Sequence, residues 1–348
     1  MTLSDPSSVA EWSDALLLPR TPRYKQMPMY MWCRRTRLGD LSRGSKKFVH
    51  EISSWLSFKG VTLPRVGELA RAVALLETCG FDTTAAPAND ESPIILLSNG
   101  GRAGSTLLQR VLITDPNLLL WGEPLGEMAL VTRITEMISH LEQPLKLGTW
   151  KNQTDASSPA LVISWIAQLY PSTTYLRAGL RAIFDQWLAK PARDRGYARW
   201  GFKEVRLGAA EASLLHWLYP NAKFVITCRH PYDSYRSFAD ARWVGYYRHP
   251  EMRVDSAATF AYHWNRLATS WPDLPTGFPC FHMKYEDLVS GNVDFRKLES
   301  WLGIKINEDV ALSASVGGTT KRKRLTWYER MIIAREAAAG MRVMSYSA

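Results

Sequence analysis

The order of apolar and polar residues predicts a strand, a tight turn and a helix between residues 93 and 113. Ile94–Leu97 is an unbroken apolar run behind Pro93, which is typical of a strand that helices cover on both faces. Small residues follow, and from Ser105 onward apolar residues recur at helical spacing. The remaining elements can be placed relative to this unit.

Four further segments predict strands. They are 118–121 (LLLW), 199–203 (RWGFK), 223–228 (KFVITC) and 280–285 (CFHMKY). Helical patterns of a dozen residues or more lie between strands. In one of them a single apolar face is formed by Leu176, Leu180, Ile183, Phe184, Trp187 and Leu188. This alternation favours right-handed crossovers, so the predicted fold class is α/β, with a P-loop-like, mostly parallel central sheet flanked by helices.

A polar, Pro-containing link at Thr83–Ser92 marks the main predicted domain boundary. We therefore expect a basic, mainly helical N-terminal extension over residues 1–90, which includes a helix at 63–80. Residues 91–348 should form one α/β domain, and Leu325–Met344 should be a helix that packs back on it.

Composition narrows the class of protein. A hydrophobic content of 46% with 14 Trp is enough for a substantial core. The four cysteines, Cys33, Cys79, Cys228 and Cys280, lie far apart without a CxxC pair, so neither a zinc site nor a disulfide framework is indicated. Because the chain has neither a secretory signal pattern nor an apolar stretch of about 20 residues, we expect a cytoplasmic protein without a transmembrane segment.

The net charge of +10 suggests an anionic partner, which could be nucleic acid, a membrane surface or a charged small ligand. Nine Lys or Arg residues lie between residues 20 and 47, against the single acid Asp40. This segment could be a solvated arm, a peripheral membrane contact or a lid over an acidic acceptor; the first is the usual role of such a run.

The turn at residues 99–104 predicts an anion site, because the helix after it begins with unpaired N–H groups and a positive end. In a nucleoside triphosphatase a Gly would lie five residues before Gly104 and a Lys directly after it, but Asn99 and Ser105 occupy those positions. The cation of this loop is Arg102. The alternative is a Gly-rich turn without a catalytic role.

Ligands of parallel sheets bind beyond the carboxyl ends of the strands. The predicted strand ends carry Arg102, Glu123, Lys203, Arg229 and Tyr285. Pro231 should open a helix directly after Arg229, which would bring the hydroxyl of Ser237 to the same side. A guanidinium and a hydroxyl at one junction predict a second phosphate site.

Two phosphate sites on one sheet resemble the sulfotransferases that use 3′-phosphoadenosine 5′-phosphosulfate (PAPS). The resemblance covers roughly residues 92–330 and lies in the loop N-G-G-R-A-G-S-T and the motif R-H-P-x-x-x-x-x-S. It is greatest for tyrosylprotein-type enzymes and related bacterial ones, which have Arg in the loop, a Gly-Glu after the second strand and a Lys before the second motif.

The resemblance implies a role for each matching residue. The 5′-phosphosulfate would be held by Arg102, Ala103 (through its N–H), Gly104, Ser105 and Thr106. The 3′-phosphate would be held by Arg229 and Ser237, and the nucleotide by Tyr285 and by a late segment containing Thr320, Lys321 and Lys323. Lys203 would neutralise the leaving oxygen together with Arg102, and Glu123 would be the general base.

This sequence departs from the pattern in three places. Ala103 stands where the family usually has Ser, and both the dimerisation motif and the catalytic His of the phenol and steroid enzymes are absent. Glu123 is therefore the candidate base, with Glu127 as its rival.

We accordingly predict a PAPS-dependent sulfotransferase that works by in-line displacement, for which positioning and charge stabilisation suffice and no metal is required. The alternatives are a phosphotransferase, which would need a Mg²⁺-binding acid, and a nucleic-acid-binding protein. The second is disfavoured because the cations lie at strand ends. The acceptor hydroxyl could belong to a phenol or tyrosine, a sugar or a natural-product alcohol, with acidic or aromatic acceptors among the options. The oligomeric state stays open.

Overall fold

The computed structural model describes residues 43–57, 64–79, 91–124, 126, 128–141, 173–240, 248–249, 252–307 and 324–347. The chain divides into two compact units, Met1–Ser57 and Phe58–Ala348. In the first, the described residues form the amphipathic helix α1 (Arg43–Ser57). The predicted boundary near residue 90 stays a prediction.

A parallel sheet forms the centre of the second unit. Its strands are β1 (Ile94–Ser98), β2 (Leu118–Trp121), β3 (Arg199–Glu204), β4 (Lys223–Cys228) and β7 (Cys280–Lys284), in the order β2-β3-β1-β4-β7. A separate antiparallel pair is formed by β5 (Arg248–His249) and β6 (Met252–Arg253). The five strands of the central sheet coincide with the five segments predicted as strands, so the predicted mostly parallel α/β sheet is confirmed. The last strand ends one residue early because Tyr285 begins a helix.

Helices cover both faces of the sheet, and alternate residues of β1 point to opposite cores. The side chains of Ile94 and Leu96 lie on the face covered by α3 (Ser105–Leu112), α10 (Tyr285–Ser290) and α11 (Phe295–Leu302). Ile95 and Leu97 contact the other face, which is covered by α2 (Val66–Cys79), α4 (Leu130–Ser139), α5 (Thr173–Phe184) and α7 (Ala209–Leu218). The unbroken apolar run therefore reflects burial on both faces.

The helix that follows α4 in the described chain differs from the one predicted. After α5 the backbone forms a π-helical turn at Asp185–Ala189 and then continues as α6 (Lys190–Arg193). Leu180, Phe184 and Leu188 are buried, but Ile183 and Trp187 are exposed. The apolar face is therefore only partly core, and the π-turn lies within it at Trp187 and Leu188.

A further group of helices lies toward the C-terminus. It comprises α8 (Pro231–Asp240), α9 (Ala257–Ser270), α12 (Trp327–Glu336) and α13 (Ala338–Val343). The predicted C-terminal helix is confirmed, with a break at Ala337. Gly340 packs so closely on α9 that a Cβ there would lie 2.8 Å from the Trp264 ring. Within the described parts of the chain, the structure contains no helix long and apolar enough to span a bilayer.

Gly201 in the middle of β3 should tolerate no side chain. A Cβ at this position would overlap the carbonyl oxygen of Ile94 and lie 2.7 Å from Leu120 Cδ1. We expect Gly201→Ala to lower the free energy of unfolding by about 1–3 kcal/mol, the usual cost of overpacking a core. Chemical denaturation measures this difference.

Gly179 in α5 provides the matched control, because a Cβ there would have no atom within 4 Å. Gly179→Ala should stabilise the protein by about 0.5–1 kcal/mol through the higher helix propensity of Ala. Equal unfolding free energies for the two variants would contradict the close approach of β3 to β1.

Candidate active site

The carboxyl ends of the central strands meet at one edge of the sheet. From β1 the chain continues to β2, two positions away on one side, whereas from β4 it continues to β7 on the other. Connections that leave neighbouring strands in opposite directions open a crevice between them, and open α/β sheets bind ligands in such crevices. The crevice here lies between β1 and β4.

The loop after β1 has an unusual backbone. Gly100, Arg102 and Gly104 have φ angles of 88°, 66° and 86°, in the left-handed region. For Arg102 this conformation costs about 1–2 kcal/mol, because an L-residue has a Cβ. Gly104 is the N-cap of α3 and makes no side-chain cap, so the first turn of this helix presents backbone N–H groups at the loop.

Hydrogen bonds to β4 and to the turn after α9 hold this loop in place. The Asn99 N–H donates to Thr227 O at 3.1 Å, and Thr227 Oγ1 donates to Ala103 O at 2.7 Å. Trp271 Nε1 donates to Asn99 Oδ1 at 2.6 Å. These contacts stabilise the strained conformation, which is how such backbones persist at functional sites.

Five predicted residues meet at the crevice, and we refer to Arg102, Gly104, Arg229, Ser237 and Tyr285 as the loop cluster. Arg102 Nε donates to Ser237 Oγ at 3.0 Å, and Arg229 Nη1 donates to Arg102 O at 3.3 Å. The Arg229 guanidinium lies 4.2 Å from the centre of the Tyr285 ring, a cation–π distance. The same ring packs on Gly104, where a Cβ would overlap it.

Hydrogen bonds made by the backbone of Arg229 and His230 fix the position of Arg229. Trp264 Nε1 donates to Arg229 O at 3.1 Å, and the His230 N–H donates to Glu286 Oε1 at 3.0 Å. The Tyr346 hydroxyl donates to Glu286 Oε2 at 2.8 Å. Burial, followed by the neighbouring Cys228 and Glu286, raises the pKa of Tyr346, so that this hydroxyl keeps its proton.

A second group, which we call the carboxylate cluster, comprises Glu123, Lys203, Glu204 and Arg206. Lys203 Nζ pairs with Glu123 Oε1, and Arg206 Nη1 contacts Glu123 Oε2 at 2.9 Å. The same nitrogen contacts Glu204 Oε1 at 2.8 Å. The side chains of Lys203 and Arg206 are 7% and 4% exposed, whereas that of Glu123 is 30% exposed.

The environment keeps Glu123 ionised. Burial raises the pKa of Glu123, but the Lys203 ammonium and then the Arg206 guanidinium lower it by more, so that the net pKa lies below its ordinary value. Burial raises the pKa of Glu204, against the attraction of Arg206. Glu123 is therefore a carboxylate at neutral pH and can accept a proton.

A pocket adjoins the carboxylate cluster. Glu204 and Arg206 form its polar side, and the π-turn contributes Trp187 and Leu188, with Trp121 Nε1 donating to Leu188 O at 3.0 Å. The remaining lining residues are Pro124, Gly126, Ala129, Leu130, Val131, Thr132, Phe184, Phe202 and Leu207. The pocket is therefore lined mostly by apolar residues, with Glu204 and Arg206 on one side.

The structure brings most of the predicted site residues into these two clusters. Ala103 lies in the loop, and Ser105 and Thr106 form the first turn of α3. Thr320, Lys321 and Lys323 lie outside the described residues, as do Glu127 and most of the basic segment 20–47. Sequence reasoning missed Arg206, although it lies two residues beyond the end of β3 and the strand-end rule could have identified it.

In the described parts of the chain, no group of three His, Cys, Asp or Glu residues is arranged to hold a metal ion.

A comparison with protein-family models shows one family. A family model described as the sulfotransferase family matches residues 93–308. No curated protein matches the chain.

Three solved structures are similar to parts or most of this chain. A sulfotransferase domain from the curacin biosynthetic pathway has 16% identity, covers 75% of this chain and 99% of its own, and has a TM-score of 0.42. A sulfotransferase from Alicyclobacillus acidocaldarius has 16% identity, covers 74% and 97%, and has a TM-score of 0.40. Sulfotransferase STF1 from Mycobacterium tuberculosis H37Rv has 15% identity, covers 97% and 99%, and has a TM-score of 0.36.

All three TM-scores are below 0.5, so the family match over residues 93–308 carries the assignment. Since that match spans more than half of the 348 residues, the chain belongs to the sulfotransferase family.

Proposed function

We propose that this protein transfers the sulfuryl group of PAPS to a hydroxyl group of an acceptor, with Glu123 as the general base. The observation that carries the proposal is the placement of two chemically different clusters at one edge of the sheet. The loop cluster offers cations and N–H groups to a charged donor. The carboxylate cluster offers an ionised carboxylate to an acceptor.

The loop cluster fits the donor because it combines two guanidinium groups with the start of a helix. Arg102, Ser105 and Thr106, with the N–H groups of the first turn of α3, would hold the 5′-phosphosulfate. Arg229 and Ser237 would hold the 3′-phosphate, since a guanidinium and a hydroxyl provide charge-assisted hydrogen bonds. Tyr285 keeps the guanidinium of Arg229 in position and would support the nucleotide there.

The carboxylate cluster fits the transfer step. PAPS supplies the activated sulfuryl group; the acceptor oxygen forms a bond to sulfur while the bond from sulfur to the 5′-phosphate oxygen breaks. The acceptor proton passes to Glu123, which its surroundings keep ionised. Lys203 would stabilise the negative charge that develops on the departing oxygen.

The pocket beside Glu204 and Arg206 supports a class of acceptor. Its walls include three aromatic residues, Phe184, Trp187 and Phe202, and several aliphatic ones. This apolar lining would favour contact with the apolar part of a phenol or a natural-product alcohol over contact with a sugar, whose hydroxyl groups it would leave unpaired. We therefore propose an acceptor with an apolar or aromatic body.

Adenosine 3′,5′-bisphosphate should stabilise the protein without added magnesium, and ATP with magnesium should do so less. A ligand that binds only the folded state at a hundredfold excess over Kd adds about 2.7 kcal/mol. For a protein of this size we expect Tm to rise by about 5 °C. Differential scanning fluorimetry measures the shift.

The variant Arg229→Ala should weaken binding of adenosine 3′,5′-bisphosphate by roughly 10–100-fold, because a charge-assisted hydrogen bond contributes about 1.5–3 kcal/mol. Arg296→Ala removes the same charge from an exposed position of α11 and should leave the affinity unchanged.

In the thermal experiment on the unmodified protein, a greater rise in Tm with ATP and magnesium than with the bisphosphate would favour the phosphotransferase alternative.

Gly104→Ala should weaken nucleotide binding by roughly tenfold or more. The residue has a left-handed φ of 86°, and an added Cβ would overlap the Tyr285 ring, so that the ring or the loop must move. Isothermal titration with adenosine 3′,5′-bisphosphate measures the effect.

Gly277→Ala is the matched control, since Gly277 has a similar φ of 81° but an added Cβ would have no atom within 4 Å. It should share the backbone strain and keep the affinity. If both variants bind equally well, the contact between Gly104 and Tyr285 does not shape the site.

Glu123→Gln should keep nucleotide affinity and lose about 10²–10⁴-fold in transfer rate, because the amide cannot take the acceptor proton. Transfer from PAPS carrying radioactive sulfur to p-cresol and to water measures the rate. Glu136→Gln, on the outer part of α4, removes the same charge and should keep full activity. An unchanged rate in Glu123→Gln would reject Glu123 as the base and direct attention to Glu127.

A further inference from the structure

Arg206 is a buried residue whose position is closely determined. It follows β3, its side chain is 4% exposed, and its Nη1 lies between Glu123 Oε2 at 2.9 Å and Glu204 Oε1 at 2.8 Å. The backbone of Gly126 packs on the guanidinium, where a Cβ would overlap Nη1 and lie 3.0 Å from Cζ. Two carboxylates and a glycine thus fix a long side chain that would otherwise adopt many rotamers.

Glu204 anchors this guanidinium from within the protein. Its carboxylate is buried, and Oε1 also accepts the Val205 N–H at 2.8 Å. A buried carboxylate requires a partner, and Arg206 provides it. Glu204 therefore holds Arg206, and Arg206 in turn holds Glu123.

The two cations bound to Glu123 differ in kind. Lys203 ends in a compact charge on a flexible stem, whereas Arg206 has a planar group held at a second point by Glu204. They also bind different oxygens of the Glu123 carboxylate: Lys203 donates to Oε1 and Arg206 to Oε2. If Lys203 turns to the departing oxygen during transfer, Oε1 is released while Oε2 stays bound.

We propose that Arg206, anchored by Glu204, is a positioning residue that holds Glu123 by Oε2 and leaves Oε1 to face the acceptor hydroxyl. This inference rests on the proposed function, because it assigns Glu123 and Lys203 their parts in sulfuryl transfer. Removing Arg206 should leave the donor site intact and disorder the base. It should also raise the pKa of Glu123, since one of its two cationic neighbours is lost while Lys203 remains and Glu204 loses its partner.

The test compares Arg206→Met with the double variant Arg206→Met/Glu204→Gln. The single variant leaves a buried carboxylate unpaired and could fail to fold, whereas the double variant removes both members of the buried pair. Arg199→Met is the matched control. It lies at the opposite end of β3, where its Nε donates to Ser92 O at 2.7 Å, away from both clusters.

Three measurements are made on each protein. Transfer from PAPS to p-cresol and to water is followed from about pH 5 to about pH 9 to locate the acid limb of the rate. Affinity for adenosine 3′,5′-bisphosphate is measured by isothermal titration. The pKa of the Glu123 carboxyl is followed by NMR with isotope-labelled glutamate, using the signal that Glu123→Gln removes.

In the double variant we expect kcat to fall about 10²-fold, the effect of misplacing a reacting group by about 1 Å, with nucleotide affinity unchanged. The acid limb should move to higher pH, together with the pKa of Glu123. The loss should be smaller with p-nitrophenol, a more acidic phenol that needs less help from a base. Arg199→Met should keep the kcat and the acid limb of the unmodified protein.

An unchanged kcat and acid limb in the double variant would overturn the inference, as would a loss of nucleotide affinity equal to the loss of kcat. If the unmodified protein transfers sulfuryl groups to no acceptor, the proposed function fails. The NMR titration then still decides the role of Arg206: an unchanged pKa of Glu123 in the double variant would show that Arg206 does not hold it.

Discussion

The parallel pairing of β1 with β3 on one side and β4 on the other determines both clusters of the site. The register places Leu96 beside Lys203 and Ser98 beside Thr227. The first pairing sets where Lys203 lies along the strand direction relative to the loop after β1. The second brings Thr227 within hydrogen-bond reach of Ala103. A slip of one residue would turn the side chains of β1 to the wrong faces and separate the clusters, so the buried apolar residues of β1 act on function through register.

The two clusters solve different electrostatic problems. In the loop cluster, cations and helix N–H groups lie beside the crevice. A bound anion can take the place of the oxygen atoms that these cations now contact. In the carboxylate cluster, buried cations are held by buried or half-buried carboxylates, because charges this deep would otherwise be costly. One part of the site can therefore bind an anion, while the other keeps a carboxylate ionised beside an apolar pocket.

The sequence alone could predict those features that depend on neighbouring residues. The strands of the sheet are short segments, most of them apolar, with clear ends. The rule that ligands bind beyond strand ends selected Arg102, Glu123, Lys203, Arg229 and Tyr285. Contacts between distant segments could not be predicted. The role of Arg206 depends on Glu123 and Gly126, about 80 residues earlier in the chain.

The π-turn at Asp185–Ala189 escaped prediction for a related reason. One extra residue in a helical turn changes the hydrogen bonding but hardly alters an apolar pattern over two or three turns. Its consequence is local and specific, since Trp187 is exposed at the pocket instead of buried in the core. Deviations of this kind often mark functional positions, and here the deviation contributes one wall of the proposed acceptor site.

The lowered pKa of Glu123 has a consequence for how the two clusters act together. A carboxylate paired with two cations is ionised but weakly basic, because both cations stabilise its charged form. If a bound donor draws Lys203 toward its departing oxygen, the pKa of Glu123 rises and the carboxylate becomes a better base, while Arg206 keeps it in place. Donor binding and the basicity of Glu123 would then be coupled, because both increase when Lys203 moves away from Glu123. In such an arrangement the proposed base would be activated only when the donor is present, and Lys203, by leaving Glu123 for the donor, would provide the coupling.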